Sequence, residues 1–139
     1  MRKKIYIDTN VMLDLLGERE DYYHDAARLA SLADKKKIIL IASPISYATV
    51  NYFLSKYENS NVAREKLRKF KLVSEICTID EGIVEKSLNS NFSDFEYALH
   101  YFNAIESKCE LIITRNPKDF KHSDLPVMSP KEFLSGLGL

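Results

Sequence analysis

Lys4-Ile5-Tyr6-Ile7-Asp8-Thr9-Asn10-Val11-Met12-Leu13-Asp14-Leu15-Leu16-Gly17 reads as a short strand running straight into a helix. The apolar run ends in a carboxylate, Thr9 is a capping residue for a helix from Asn10 to Leu16, and Gly17 closes it. The same strand-then-helix grammar continues outward from this stretch. Tyr22, Tyr23, Ala26, Ala27, Leu29, Ala30 and Ala33 recur at helical spacing and predict a helix over 21–34. Ile38-Ile39-Leu40-Ile41 is a continuous apolar run, the mark of a strand buried on both faces. Ser43-Pro44 then supplies a cap and a proline at the first helical position, predicting a helix to about Tyr57. A more polar helix is predicted over 61–71, a third strand over 73–79 and a short helix over 81–88. Ser93-Asp94-Phe95-Glu96 has capping-box form and opens a helix through Ser107, with Phe95, Ala98, Leu99, Phe102 and Ile105 on one face. Leu111-Ile112-Ile113-Thr114 is a fourth strand, Pro126-Val127-Met128 a short fifth, and Pro130 starts a last helix. Alternation of this kind predicts one α/β domain over 1–139: a three-layer α/β/α fold whose mostly parallel sheet has about five strands.

Composition agrees with one folded domain. The 139 residues carry 20 basic and 20 acidic side chains, no formal net charge, and 45% hydrophobic residues. That excludes disorder and a strongly basic nucleic-acid coat, but leaves room for a local basic patch. No apolar run approaches the roughly 20 residues of a membrane span. The basic start Met1-Arg2-Lys3-Lys4 is followed by an apolar run that stops at Asp8, too short for a signal-peptide core. Cys77 and Cys109 have no metal-ligand spacing and read as reduced, buried thiols, so the expected location is cytoplasmic. His24, His100 and His122 are scattered and read as ordinary surface or helix residues.

In parallel sheets function gathers at the carboxyl ends of the strands. That rule selects Asp8, Ser43 and the loop Thr114-Arg115-Asn116-Pro117-Lys118-Asp119. A carboxylate at Asp8 can cap the following helix, and the same geometry can aim it at a cation. Asp94 can complement its helix dipole or face a cleft, and Glu96 reads first as the capping-box partner of Ser93. Carboxylates converging on one sheet edge repel each other and stay ionised cheaply only with a cation between them. Hard oxygen ligands suit Mg²⁺ or Mn²⁺, and such an ion activates water for phosphodiester hydrolysis. Arg64, Lys66, Arg68, Lys69 and Lys71 fall within eight positions. They are either a solvated helix face or a contact for an RNA phosphate backbone. Aromatic-rich helices fit a homodimer or a groove for a partner helix.

Four segments together resemble the PIN domain family, metal-dependent ribonucleases that include the VapC-type toxins of toxin–antitoxin pairs. They are Ile5-Tyr6-Ile7-Asp8-Thr9-Asn10-Val11, Ser93-Asp94-Phe95-Glu96-Tyr97-Ala98-Leu99, the run from Ile112 to Phe120, and the tail from Leu125 to Leu134. The resemblance implies an acidic pocket, Mg²⁺ or Mn²⁺, single-stranded RNA as substrate and an antitoxin as protein partner. It makes Asp8 the first acidic ligand, places Thr9 and Asn10 beside it, and matches Asn116 and Asp119 to the polar positions of the last motif. Two positions depart from the family pattern. The acidic residue usual in the helix after the second strand falls on Thr49, and the Asp usual before the Ala-Leu pair falls on Tyr97. Asp94, one turn earlier, is the candidate replacement, with Glu96 a less favoured one. Asp8, Asp94 and Asp119 are thus the expected catalytic and metal-binding residues, with Asn10, Thr49, Asn51, Arg115 or Asn116 as polar contacts. Fewer carboxylates predict weaker metal affinity. The alternative is a catalytically inactive PIN-like domain that binds RNA or a protein partner. A phosphotransfer domain fits poorly. Asn10 stands where a dehalogenase-type site needs a second Asp, and Tyr6-Ile7 where a receiver needs an acidic pair.

Overall fold

The sheet is built from Lys3–Ile7 (β1), Ile38–Ala42 (β2), Ser74–Ile76 (β3), Leu111–Ile113 (β4) and Val127–Met128 (β5), in spatial order β3-β2-β1-β4-β5. Every pairing is parallel. Ile5 lies opposite Leu40 on one side and Leu111 on the other. The computed structural model describes residues 2–137. Residues 1, 138 and 139 of the expected 1–139 span lie outside them. The helices are Thr9–Leu16 (α1), Tyr23–Asp34 (α2), Pro44–Tyr57 (α3), Ser60–Lys71 (α4), Glu81–Leu88 (α5), Phe95–Glu106 (α6) and Pro130–Gly136 (α7). A 3₁₀ turn spans Pro117–Phe120.

Alternation along each strand divides the core in two. Ile5, Ile7, Ile38, Leu40, Leu111 and Ile113 point to one face and pack with α1, α2, α3, α4 and α7. Tyr6, Ile41 and Ile112 point to the other and pack with Tyr101 and Ala104 of α6 and with Phe120. The three-layer α/β/α arrangement therefore follows from the period-two reversal of side chains in strands flanked by helices on both sides.

Several local readings change. The third strand is three residues long, not seven: only Ser74, Glu75 and Ile76 pair in register with β2. Asp8, not Thr9, caps α1, accepting from the Thr9 backbone N–H at 2.7 Å. Asp94, not Ser93, caps α6; its Oδ1 accepts from the backbone N–H of Glu96 and Tyr97 at 2.9 and 3.4 Å. Glu96 is therefore not the partner of a capping box at Ser93. A complete capping box forms instead at Ser129 and Glu132, opening α7. The buried face of α6 is also rotated from the expected one. Ala98, His100, Tyr101, Asn103 and Ala104 are buried, whereas Phe95 and Ile105 are 44% and 37% exposed. Polar partners on the sheet cause this. Asn103 Nδ2 donates to Ser43 Oγ at 3.0 Å, and His100 bonds to the Tyr6 hydroxyl. Two helices are followed by a lysine in the left-handed region where glycine is usual. After α2 and α6, Lys36 and Lys108 take φ values of 61° and 60°. Lys37 N–H then donates to Leu32 O at 2.9 Å and Cys109 N–H to Ala104 O at 3.0 Å, closing each terminus.

Candidate active site

The strand order reverses direction between β1 and β4: the chain moves from β1 outward through β2 and β3, then returns to the opposite side of β1. A crevice forms at such a switch point, outside the carboxyl ends of the strands. Asp8 and Thr114 stand there, one residue beyond β1 and β4. The Asp8 N–H continues the ladder to Ile113 O at 2.9 Å. Asp8 is only 3% exposed. Its Oδ1 accepts from the Thr9 N–H, and its Oδ2 accepts from the Thr114 hydroxyl at 2.8 Å. The carboxylate thus carries a capping bond and a crossing bond together.

Around Asp8 lies a buried polar network that the sequence reading did not anticipate. His100, read as an ordinary helix residue, is fully buried. Burial pushes the Tyr6 phenol pKa well up, and its hydroxyl is hydrogen-bonded to His100 Nδ1. His100 Nε2 lies 3.4 Å from Thr9 Oγ1 and 3.8 Å from Asp8 Oδ1. Burial lowers the His100 pKa, against the opposing pull of Asp8 and then of Glu96 and Asp94. Thr9 Oγ1 also shares a hydrogen bond of 2.7 Å with the buried Ser46. The one available signal was spacing, since His100 and Asn103 sit three residues apart beside Ala104 on a single helical face.

Asp119 lies half-buried in the 3₁₀ turn, and its N–H donates to Asn116 O at 3.0 Å. Asn116 is exposed, and its N–H donates to Thr114 Oγ1 at 3.1 Å. Tyr97 of α6 packs on this turn. Its ring packs edge-on against Phe120 with centroids 5.2 Å apart. Its phenol pKa is raised, first by burial and then by the charges of Asp8, Asp119 and Asp94. Asp94 itself is exposed and occupied with capping α6. Thr49 is half-buried in the second turn of α3. Glu96 is exposed in the first turn of α6.

Asn10 braces the same rim. Its Nδ2 donates to Thr114 Oγ1, and its Oδ1 accepts from the Arg115 N–H, both at 3.4 Å. Arg115 Nε donates to Asp14 Oδ2 at 2.6 Å, and the guanidinium lies 4.1 Å above the Tyr22 ring. Asp14, not singled out from sequence, is 1% exposed and also lies 3.6 Å from Arg19. Burial raises its pKa, while Arg115 and then Arg19 hold it back.

The basic helix α4 is more tied down than its composition suggests. Lys66 Nζ donates to Leu16 O at 2.9 Å and pairs with Glu58 and Glu18 at 3.2 and 3.6 Å. Arg68 pairs with Glu65 at 3.2 Å. Arg64, Lys69 and Lys71 are exposed on the same helix.

A PIN domain family model matches residues 4–118. The chain belongs to the PIN domain family. Solved structures agree on the fold of this PIN domain. A toxin–antitoxin complex from Klebsiella pneumoniae is 26% identical with a TM-score of 0.67, and the match covers 91% of this chain and 97% of that one. VapBC-1 from nontypeable Haemophilus influenzae is 17% identical with a TM-score of 0.67, covering 92% and 98%. VapC20 from Mycobacterium tuberculosis, a sarcin–ricin loop cleaving toxin, is 14% identical with a TM-score of 0.62, covering 78% and 86%. No curated protein sequence matches this PIN domain.

PIN-domain nucleases generally use a divalent metal. The donors at this rim do not fit such an ion. Among the described residues, no three His, Cys, Asp or Glu side chains are grouped so as to hold a metal. Thr49 and Tyr97 stand at the two positions where the resemblance expects further acids, and Asp94 caps its helix through Oδ1. Among the described residues no helix is long and apolar enough to cross a membrane.

Proposed function

We propose that this chain is the toxin-type PIN component of a toxin–antitoxin-like pair, and that it acts by binding single-stranded RNA at the switch-point rim rather than by metal-dependent cleavage. One observation carries this reading: among the described residues no three His, Cys, Asp or Glu side chains are grouped to hold a metal, and Thr49 and Tyr97 stand where the resemblance expects two further acids. Support for a protein partner of antitoxin type comes from the similarity to the Klebsiella and Haemophilus complexes. The proposed unit is one domain over 1–139.

A second reading is a Mg²⁺- or Mn²⁺-dependent endoribonuclease on Asp8 and Asp119. What favours it is the near-complete burial of Asp8 at the crevice of the fold. A single comparison separates the two. Purified protein is mixed with labelled single-stranded RNA, with Mn²⁺ and separately with chelator. Binding that persists in chelator without cleavage in Mn²⁺ supports the first reading. Cleavage that requires Mn²⁺ and is lost in Asp8→Asn supports the second.

A further inference from the structure

Beside the rim, a cleft of about 410 Å³ opens between the loop after β4, the start of α2 and the start of α7. Its lining is unusual in carrying both charge signs next to an aromatic ring. Arg115 and Lys131 supply cations, Asp21 and Asp25 supply carboxylates, and Tyr22 is 46% exposed. Arg115 is held in a fixed pose. Asp14 binds its Nε, Tyr22 supports the plane of the guanidinium, and Asn10 anchors its backbone N–H. Among the described residues, no protein acceptor lies within hydrogen-bond distance of its two terminal amino groups. They are left without a protein partner on a side chain already held by Asp14 and Tyr22 at the wall of the cleft.

We infer that this cleft is a nucleotide subsite, taking one nucleotide of a single-stranded RNA whose neighbouring nucleotides cross the Asp8 rim. The inference rests on the RNA-binding reading above. A nucleotide unites the chemistries the walls ask for. Its phosphate is a bidentate partner for a guanidinium and a point partner for an ammonium. Its base has a face for Tyr22, and its amino, imino and ribose hydroxyl groups donate to the carboxylates. A basic peptide would meet Arg115 and Lys131, and an acidic one Asp21 and Asp25, so either is opposed by half of the lining. Continuity along the chain adds to the case. Thr114 holds Asp8, and Arg115 is the next residue, so a strand lying along the crevice reaches both.

The test uses the whole chain in chelator, with a fluorescent single-stranded RNA of about 12 nucleotides and, separately, 5′-mononucleotides as competitors. Tyr22→Leu and Lys131→Ala alter exposed or rim groups, and Arg115→Lys keeps the charge but loses the fork. Tyr22→Leu and Lys131→Ala are first checked for an unchanged melting temperature, and Arg115→Lys, which also loses its Nε bond to Asp14, for a cooperative melt well above the assay temperature. The expected result is RNA binding weakened about fivefold or more by Tyr22→Leu. Arg115→Lys also weakens binding, and Lys131→Ala lowers the salt dependence by about one phosphate contact. Competition by mononucleotides that is lost in the same variants also supports the subsite. Tight RNA binding that all three variants leave unchanged overturns the subsite and leaves the RNA-binding reading standing. Mononucleotide binding with no RNA binding overturns the strand assignment. No RNA binding by the wild type overturns both.

Discussion

Arg115→Met is the sharpest perturbation of the rim, because it removes the closer of two cations from a carboxylate that is almost wholly buried. Asp14 has a side chain 2% exposed and receives the Arg115 bond at 2.6 Å, while Arg19 stands back at 3.6 Å on a side chain 42% exposed. Breaking a buried ion pair from one side costs about 3–5 kcal/mol. The remaining Arg19 contact places the expected loss near the lower end, about 3 kcal/mol. For a chain of this size that is a fall of about 10 °C in melting temperature. The pH dependence follows from linkage. Burial already raises the Asp14 pKa in the folded state, and Arg115 is the main group opposing that rise. Its removal raises the folded pKa further. A carboxyl whose folded pKa lies above its unfolded value favours the fold below the unfolded value, about 4. That contribution disappears as pH rises through the folded pKa. The deficit of Arg115→Met relative to wild type is therefore largest near neutrality and shrinks toward acid. Urea denaturation of both proteins across this range measures it, and Asp14→Leu combined with Arg115→Met recovers most of the loss. A deficit that stays constant with pH, or one below about 1 kcal/mol at neutrality, refutes the reasoning.

Three further outcomes are expected. Lys108→Gly stabilises the protein by about 0.5–1 kcal/mol in denaturant melts, because glycine removes the side-chain conflict of the left-handed turn after α6. Tyr6→Phe destabilises by about 1–3 kcal/mol in the same assay, since it leaves the buried His100 Nδ1 without its hydrogen-bond partner. Lys66→Met costs about 1–2 kcal/mol through the Leu16 carbonyl and the Glu58 carboxylate. The exposed Lys69→Met stays within about 0.5 kcal/mol of wild type.

The strand-to-helix grammar was legible because it rests on local patterns. The run ending at Asp8, the apolar Ile38–Ile41 stretch and the Ser43-Pro44 signal each fix their own element, and together they fix a parallel sheet. That Asp8 shares a sheet edge with the loop after β4 depends on β1 and β4 being neighbours, which the sequence left as a condition and the strand order supplies. What stayed hidden was partnership between distant polar residues. His100 read as an ordinary residue and Asn103 drew no reading, yet they define the buried face of α6 because Tyr6 of β1 and Ser43 at the end of β2 bond to them. Asp14 looked like one charge in a helix, and only the fold places Arg115 against it. Asp94 had two equally available roles, and the helix terminus took it because a backbone cap is satisfied at short range. Lys66 looked like part of a basic face, but α4 lies against the end of α1 and beside Glu58.

The most direct test of the central claim is calorimetric titration of the wild-type protein with Mn²⁺, run beside Thr49→Glu combined with Tyr97→Asp. The wild type is expected to show no stoichiometric binding, and the double variant, with carboxylates returned at both positions, one saturable site. Saturable binding of one ion by the wild type, abolished by Asp8→Asn, would contradict the account.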